Sequence, residues 1–179
     1  MSHSTLRVPK RHFFRRLILS AIVLGLHTAH ASASDVGQTT GLPLPRFASV
    51  KAAPANVRLG PGIDYPLKWT FVGQEVPVEI TAEFEHWRRI RDWEGQEGWM
   101  LGALLSGKKT ALVAPWHRAK PVSLRASPAA DAPIVAIVQQ NVLVHIDRCD
   151  GRWCRVRVKG RRGYIRQTKL WGAYPGEKF

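Results

Sequence analysis

The feature that most constrains this chain is an internal repeat. The segment that begins at Arg58 reads R-L-G-P-G-I-D-Y-P, and 67 positions later Arg125 begins R-A-S-P-A-A-D-A-P. Both segments follow the pattern R-x-x-P-x-x-D-x-P, and an apolar ladder continues after each of them in register. Self-similarity at a fixed offset indicates that one structural unit occurs more than once. The chain is therefore predicted to contain two tandem copies of one small domain.

Each copy has the residue pattern of short β-strands. Residues 76–80 read V-P-V-E-I and residues 142–146 read V-L-V-H-I. Apolar residues at every second position are typical of half-buried strands. Shorter alternating runs begin at Trp87 and Trp153, which we expect to lie in the core or at its rim. Several short strands within about 60 residues favour a closed sheet, since closure removes exposed edges. The predicted fold class is all-β, with two tandem small barrels.

A targeting signal precedes the repeats. Four basic residues between positions 10 and 16 are followed by the apolar run 17–26 and by the small residues at 31–33. This order is typical of a secretory signal peptide, here cleaved after about Ala33. The apolar run is shorter than the roughly 20 residues that a membrane-spanning helix needs. We therefore expect a periplasmic or secreted protein without a transmembrane segment after cleavage.

The signal and the repeat together divide the chain into six predicted segments. They are the signal peptide (1–33), a leader or linker (34–46), the first domain (47–105), a linker (106–115), the second domain (116–172) and a C-terminal tail (173–179). Because the two copies occupy nearly all of the chain after the signal, we expect no separate catalytic domain.

Several of these segments resemble a known family. The runs N-V-R-L-G-P-G (Asn56–Gly62), W-R-R-I-R (Trp87–Arg91) and C-D-G-R-W-C-R-V in the second copy are similar to bacterial Src-homology-3-like (SH3b) domains. The chain looks like the exported tandem form of Gram-negative bacteria, which often ends in a segment like L-W-G-A-Y-P-G-E (Leu170–Glu177). The second copy departs from the pattern because it lacks the G-P-G turn and has Tyr164 in place of tryptophan. The resemblance implies two SH3-like barrels and a module that binds a ligand or the cell wall.

The two cysteines are expected to form a structural disulfide. Cys149 and Cys154 bracket D-G-R-W in a predicted hairpin. If all four residues form the loop, the cysteines lie opposite each other within bridging distance; if Asp150-Gly151 alone turns the chain, the bridge requires distortion. Export to an oxidising compartment favours the bridge. Glu83 and Arg88 occupy the equivalent positions of the first copy, so an ion pair is expected there.

Aromatic residues that occur in only one copy are the first candidates for ligand contacts, because packing alone would have kept them in both. We expect them to form a shallow groove that accepts an extended peptide, as aromatic-lined SH3-type grooves do. These residues are Tyr65, Trp69, Trp93 and Trp99.

Basic residues of the second copy are the second candidates. Residues 34–113 hold nine basic and nine acidic side chains, whereas residues 114–179 hold thirteen basic and four acidic ones. Such a field attracts anions, including stem-peptide carboxylates and phospholipid head groups, although a solvated basic surface is the simpler interpretation. The predicted anion-binding residues are Arg155, Arg157, Lys159, Arg161 and Arg162. Export argues against nucleic acid as the partner.

No catalytic residue, metal site or cofactor is predicted. The histidines at 86, 117 and 145 lack a neighbouring serine or cysteine pattern for a nucleophile, and their spacing does not match known metal sites. The expected function is non-enzymatic binding in the cell envelope, with peptidoglycan or its stem peptides as the ligand. The alternatives are a module that binds a peptide segment of a periplasmic protein and, more remotely, a cell-wall peptidase or amidase.

Overall fold

The computed structural model describes residues 35–116 and 120–179, so the predicted signal peptide lies outside the described residues. The described part is built almost entirely from β-strands, joined by loops and two short 3-10 turns. In this part of the chain, no helix is long and apolar enough to cross a membrane.

Seven strands form the first domain, and a two-stranded hairpin precedes them. The leader hairpin consists of β1 (Asp35–Val36) and β2 (Pro43–Leu44). The first domain consists of β3 (Arg46–Val50), β4 (Ala55–Arg58), β5 (Leu67–Phe71), β6 (Pro77–Phe84), β7 (Trp87–Arg91), β8 (Glu97–Leu101) and β9 (Leu105–Ser106). A 3-10 turn at Gly102–Leu104 lies between the last two strands. The strand order in the sheet is β5-β4-β8-β7-β6-β3-β9.

The second domain repeats this arrangement strand for strand. It consists of β10 (Thr110–Val113), β11 (Val122–Arg125), β12 (Ile134–Val138), β13 (Leu143–Cys149), β14 (Trp153–Val158), β15 (Arg161–Arg166) and β16 (Leu170–Trp171). A 3-10 turn at Gln167–Lys169 precedes the last strand. The order β12-β11-β15-β14-β13-β10-β16 matches that of the first domain. The predicted all-β fold with two tandem small barrels is confirmed.

The alternating positions of the sequence form the two cores. Val78, Ile80, Ile90 and Met100 are buried in the first domain. Their counterparts in the second are Val144, Ile146, Val156 and Ile165. Trp87 and Trp153 are also buried, as expected from their repeated positions. Apolar burial on one face of each strand therefore determines the register.

The repeated R-x-x-P-x-x-D-x-P pattern has a structural explanation. The Nη1 atom of Arg58 donates to the carbonyl oxygen of Tyr65 at 2.8 Å, and that of Arg125 donates to the carbonyl oxygen of Ala132 at 2.7 Å. A backbone hydrogen bond closes each loop beside the arginine, from Leu59 to Pro66 in the first copy and from Ala126 to Pro133 in the second. The arginine of the motif thus holds the long loop between the first two strands of the shared pattern.

Three segments that were expected to connect or flank the domains are part of the fold. The expected linker 106–115 contains β10, which is fully buried and pairs with β13 and β16. The second domain thus begins before the expected boundary, and residues 107–109 join the two barrels. The leader forms the hairpin described above. The tail pairs with the β13–β14 hairpin through backbone hydrogen bonds between Phe179 and Cys149.

Side chains of the C-terminal segment contact the first barrel. The Tyr174 hydroxyl donates to Glu79 Oε1 at 2.8 Å, and Glu79 also accepts from Arg91 Nε at 2.8 Å. Burial and the Glu79 carboxylate raise the pKa of Tyr174 above its ordinary range. The Phe47 ring lies 4.7 Å from that of Tyr174, centroid to centroid. A polar pair and an aromatic contact therefore join the C-terminal segment to the first barrel.

Candidate functional site

The predicted disulfide is present. Cys149 and Cys154 are bonded, with their Cα atoms 4.1 Å apart. They are direct partners in the β13–β14 register, so Cys149 faces Cys154 and not Arg152, and Trp153 already belongs to β14. In the first domain Glu83 and Arg88 are direct partners too, and Arg88 Nε lies 3.4 Å from Glu83 Oε1. One hairpin is therefore cross-linked covalently where its repeat uses an ion pair.

The cross-linked hairpin places Trp153 at the start of β14. The Oδ1 atom of Asp150 accepts hydrogen bonds from the backbone N–H groups of Arg152 and Trp153, each at 2.8 Å. These donors, first that of Trp153, lower the pKa of Asp150 from its ordinary value. The Asp150 carboxylate caps the turn, and the disulfide closes it. Trp153 is thereby held between a capped turn and the core.

A cleft of about 500 Å³ lies beside Trp153 in the second domain. We call it the basic cleft. Two tryptophans contribute to it, Trp153, which is buried, and Trp116, which is 42% exposed. Its basic side chains come from two separate parts of the chain, 120–125 and 166–169, and none of the described residues that line it is acidic. The basic residues are Lys120, Arg125, Arg166 and Lys169.

A cation–π contact joins the aromatic and basic parts of the cleft. The guanidinium carbon of Arg166 lies 4.7 Å from the centroid of the Trp153 ring. Arg166 is exposed and is the direct cross-strand partner of Trp153. A guanidinium stacked on an indole face is oriented by the contact and keeps its hydrogen-bond donors available to a ligand. The cleft therefore presents an oriented, solvent-accessible cation above an aromatic surface.

The first domain lacks this feature at the equivalent position. Its buried tryptophan, Trp87, has Leu101 as the cross-strand partner. An apolar partner provides no charge and no hydrogen-bond donor. The basic cleft is thus a property of the second copy, and the repeat alone does not produce it.

The four aromatic residues predicted to form a groove lie in different surroundings. Trp69 and Trp93 pack against the first core. Trp69 pairs with the fully buried Val57, and Trp99 pairs with the next residue of the same strand, Arg58. Because successive side chains of a strand point to opposite faces of the sheet, the two indoles lie on opposite faces. Strand alternation therefore separates Trp69 from Trp99 within the predicted groove.

Of the other two predicted aromatic residues, Tyr65 lies in the loop of the repeated motif and Trp99 lies in β8. The Tyr65 ring covers Gly60 so closely that a Cβ atom at that position would collide with it. Trp99 lines a separate shallow depression that also includes Leu59 and Lys68. Non-repeated aromatic residues can thus serve loop packing, which the sequence argument did not take into account.

The predicted anion-binding residues occupy the β14–β15 hairpin. Arg157 pairs with Arg162 across the strands, and its Nε atom donates to Asp147 Oδ1 at 2.7 Å. Arg155 is partly buried beside Tyr164. The two remaining residues, Lys159 and Arg161, border a small depression next to β12. Of the five predicted residues, Arg157 is therefore neutralised by the Asp147 carboxylate. Lys159 and Arg161 lie at the depression beside β12, which is a different surface from that of the other three.

Sequence reasoning did not identify Trp116, Lys120 and Lys169 as site residues. They lie 4 to 53 positions apart in the chain, and only the folding of the second barrel brings them to one cleft. Of the histidines in the described ranges, His145 lies with Nε2 at 3.4 Å from Glu75 Oε2. Across residues 35–116 and 120–179, no three His, Cys, Asp or Glu side chains are grouped as a metal site would require.

Two barrels of one topology, the second with a cleft at its surface, place the protein in the class of tandem small β-barrel proteins. The chain belongs to the bacterial SH3 domain family, whose model matches residues 51–107 and 118–172. This confirms the family resemblance. Among curated proteins, the comparison finds no match.

Solved structures with partial similarity come from a protist and a bacterium. NlpC2 from Trichomonas vaginalis matches with 16% identity over 71% of this chain and 48% of its own, at a TM-score of 0.31. NlpC1 from the same organism matches with 15% identity over 75% and 48%, at a TM-score of 0.31. An NlpC/P60 family protein from Bacillus cereus ATCC 10987 matches with 12% identity over 70% and 55%, at a TM-score of 0.31. The chain spans about half the length of these proteins.

Proposed function

We propose that this protein is a non-catalytic binding module of the cell envelope, and that its basic cleft recognises peptidoglycan through the carboxylates of the stem peptides. The observation that carries the proposal is the composition of the cleft, which combines two tryptophans with four basic residues. A site of this kind selects ligands that present both anionic groups and flat apolar surfaces.

Stem peptides attached to sugar chains meet both requirements. Their free carboxylates suit the planar guanidinium of Arg166, which can bind a carboxylate through two parallel hydrogen bonds. The exposed indole of Trp116 provides a surface on which a sugar ring or an aliphatic stem-peptide side chain can stack. The excess of thirteen basic over four acidic residues in 114–179 adds a long-range attraction for an anionic polymer.

Localisation outside the cytoplasm is part of the same proposal. The residue pattern of positions 10–33 is that of a secretory signal. The Cys149–Cys154 disulfide supports an oxidising environment, in which such bonds persist. A periplasmic or secreted protein with this cleft meets peptidoglycan directly.

Co-sedimentation with purified peptidoglycan sacculi at low and high salt tests the proposal. We expect the protein to sediment with sacculi, and the double variant R166Q/K169Q to bind at least tenfold more weakly. The matched control is R161Q/R162Q, which removes the same two charges from the exposed β14–β15 turn. Binding at the cleft depends on the two residues removed there, whereas a general electrostatic attraction depends only on the number of charges. The control variant should therefore keep most of the binding.

Three results would contradict the proposal. Equal losses in the two double variants would indicate a general anion attraction instead of recognition at the cleft. Absence of sedimentation at both salt concentrations would exclude wall binding and leave a protein partner as the function. Release of soluble muropeptides by the protein would show catalysis and overturn the non-enzymatic assignment.

A further inference from the structure

Each barrel has an edge strand next to its long loop. β5 and β12 end their sheets and pair with only one neighbouring strand each among the described strands. In an antiparallel edge strand, alternate residues direct their backbone N–H and C=O groups away from the sheet. These groups form a template to which another extended segment can pair.

The two edge strands differ in their protection. β5 reads L-K-W-T-F, and its Lys68 extends its ammonium group to the carbonyl oxygen of Glu97 at 2.6 Å. β12 reads I-V-A-I-V and contains no charged residue. Ile134 and Ile137 are each 55% exposed, and Val135 is 36% exposed. Edge strands are normally protected by charge, proline or a covering element, and β12 has no charge along its length.

A depression of about 190 Å³ adjoins β12. Its apolar side chains are those of Ala136, Ile137, Val138, Val142 and Val158. Lys159 and Arg161, from either side of the β14–β15 turn, provide two positive charges at its border. None of the described lining residues is acidic. The edge strand therefore lies beside an apolar surface with a cationic border.

We propose that β12 binds an extended segment of a protein partner, in which apolar and acidic residues alternate, as an additional antiparallel strand. The open edge provides backbone hydrogen bonds, Ile134 and Ile137 provide apolar contact, and Lys159 and Arg161 select acidic side chains. Strand addition of this kind obtains affinity from main-chain pairing and specificity from alternate side chains. A strand of five residues accommodates a partner segment of similar length.

Charge complementarity favours this occupant over a second copy of the chain. Edge-to-edge pairing of two copies would bring together two domains that each carry thirteen basic and four acidic residues. Domains of like net charge repel each other, which disfavours their association. The surface does not include the lining residues of the basic cleft, so the inference stands independently of peptidoglycan binding.

Fluorescence anisotropy with a labelled, capped heptapeptide of alternating valine and glutamate tests the inference. We expect micromolar binding by the wild-type protein and at least a tenfold loss in I137K, which places a charge on the exposed edge. V72K is the matched control, because Val72 is 87% exposed and follows the edge strand of the first domain. K159Q/R161Q should weaken binding of this peptide without changing the core, since both side chains are exposed.

Two altered peptides separate strand addition from general attraction. Methylation of alternate backbone nitrogens removes N–H donors and should abolish binding, and replacement of glutamate by lysine should do the same. Failure of the unmodified peptide to bind, or equal binding of the methylated peptide, would overturn the proposal. Sedimentation velocity provides a further check, because a wild-type dimer that I137K converts to a monomer would assign the edge to a second copy instead.

Discussion

The β6–β7 hairpin of the first domain and the β13–β14 hairpin of the second each hold a terminal segment, but by different chemistry. In the first, the Glu83 carboxylate accepts from the backbone N–H groups of Thr39 and Thr40, each at 3.0 Å, and from the Thr40 hydroxyl at 2.7 Å. In the second, Cys149 exchanges backbone hydrogen bonds with Phe179 at 2.9 and 3.2 Å. The equivalent position of the repeat is thus an ionisable side chain that anchors one segment in the first copy, and a disulfide-bonded residue that anchors the other through its backbone in the second.

This difference determines which condition disturbs each copy. The leader depends on the ionisation of one carboxylate, so acid should release it. The C-terminal segment depends on the geometry of a disulfide-closed hairpin, so reduction should loosen it. The two copies therefore share one strand order and differ in the chemistry of the anchors.

The largest losses of stability are expected at a glycine that the two copies share and that leaves no room for a side chain. A Cβ atom at Gly163 would lie 2.6 Å from the carbonyl oxygen of Arg125 and 2.7 Å from the Leu124 side chain. At the equivalent Gly98 it would meet the end of the Val57 side chain at 2.5 Å, while the backbone oxygen is 3.0 Å away. A side-chain methyl group moves more readily than backbone. We expect G163A to lower the free energy of unfolding by about 3 kcal/mol and G98A by about 1 to 2 kcal/mol.

Urea denaturation of the two variants measures this difference. The exposed Gly107, at which a Cβ atom has no neighbour within 4 Å, provides the control variant G107A. A loss in G98A equal to or greater than that in G163A would show that the backbone contact does not govern the cost.

Removal of the disulfide should produce the next largest effect. The double variant C149S/C154S frees a short loop in the unfolded chain, which is expected to cost about 2 kcal/mol of stability in the second domain. Hydrogen exchange at the Phe179 amide should accelerate, because that amide donates to the Cys149 carbonyl. Exchange at Ile90 in the first core should change much less, and equal acceleration at both sites would contradict independent anchoring.

Acid should act on the first domain through Glu83. Burial of this carboxylate raises its pKa, but hydrogen bonds from the Thr40 side chain, Arg46 and the Thr39 and Thr40 backbone outweigh burial and lower the pKa from 4.5 to about 2. Because the folded-state pKa is depressed, the stabilisation is complete above pH 4.5 and is lost as the pH falls from 4.5 toward 2. E83Q should remove about 1.5 kcal/mol of leader stability at neutral pH and abolish this acid dependence.

Amide exchange at Thr39 and Thr40 as a function of pH measures the effect. E85Q is the matched control, since the Glu85 side chain is exposed and only its backbone carbonyl contacts the leader. An acid dependence that persists in E83Q would assign the anchor to another group.

The repeat predicted the fold well because its signals are local. The loop motif at Arg58 and Arg125 encodes a hydrogen bond within the motif itself, and strand alternation encodes burial. The first strand of the second copy, β10, was assigned to the linker because it shares with β3 little more than Ala48/Ala111 and Val50/Val113, at an offset of 63 instead of 67. The backbone pairing of the two strands is nevertheless the same, because the N–H of Val50 donates to the carbonyl oxygen of Val76 and that of Val113 to that of Val142. A change of offset therefore hides a repeated strand from a sequence comparison.

The candidate site was harder to predict because it is not local. The basic cleft combines Trp116 and Lys120 from the segment before β11 with Arg166 and Lys169 around the end of β15. No spacing in the sequence indicates that these segments meet. The aromatic residues chosen for their absence from the second copy instead pack into the core or over a loop, as Trp69 and Tyr65 do.

The smallest effect is expected at the junction of the two copies, where ionic and backbone contacts can be compared directly. Glu75 Oε1 accepts from Lys108 Nζ at 2.9 Å, but the Lys108 side chain is 67% exposed, so solvent and salt screen the pair. The carbonyl oxygen of the same residue accepts from the buried Thr110 hydroxyl at 2.8 Å.

E75Q should cost less than about 1 kcal/mol of stability, and this cost should approach zero at high salt. T110V should cost about 1 kcal/mol or more at every salt concentration, because it leaves a partly buried acceptor unpaired. Denaturation of both variants at low and high salt separates these contributions, and a salt dependence of equal size in the two would show that charge, and not the buried hydroxyl, joins the copies.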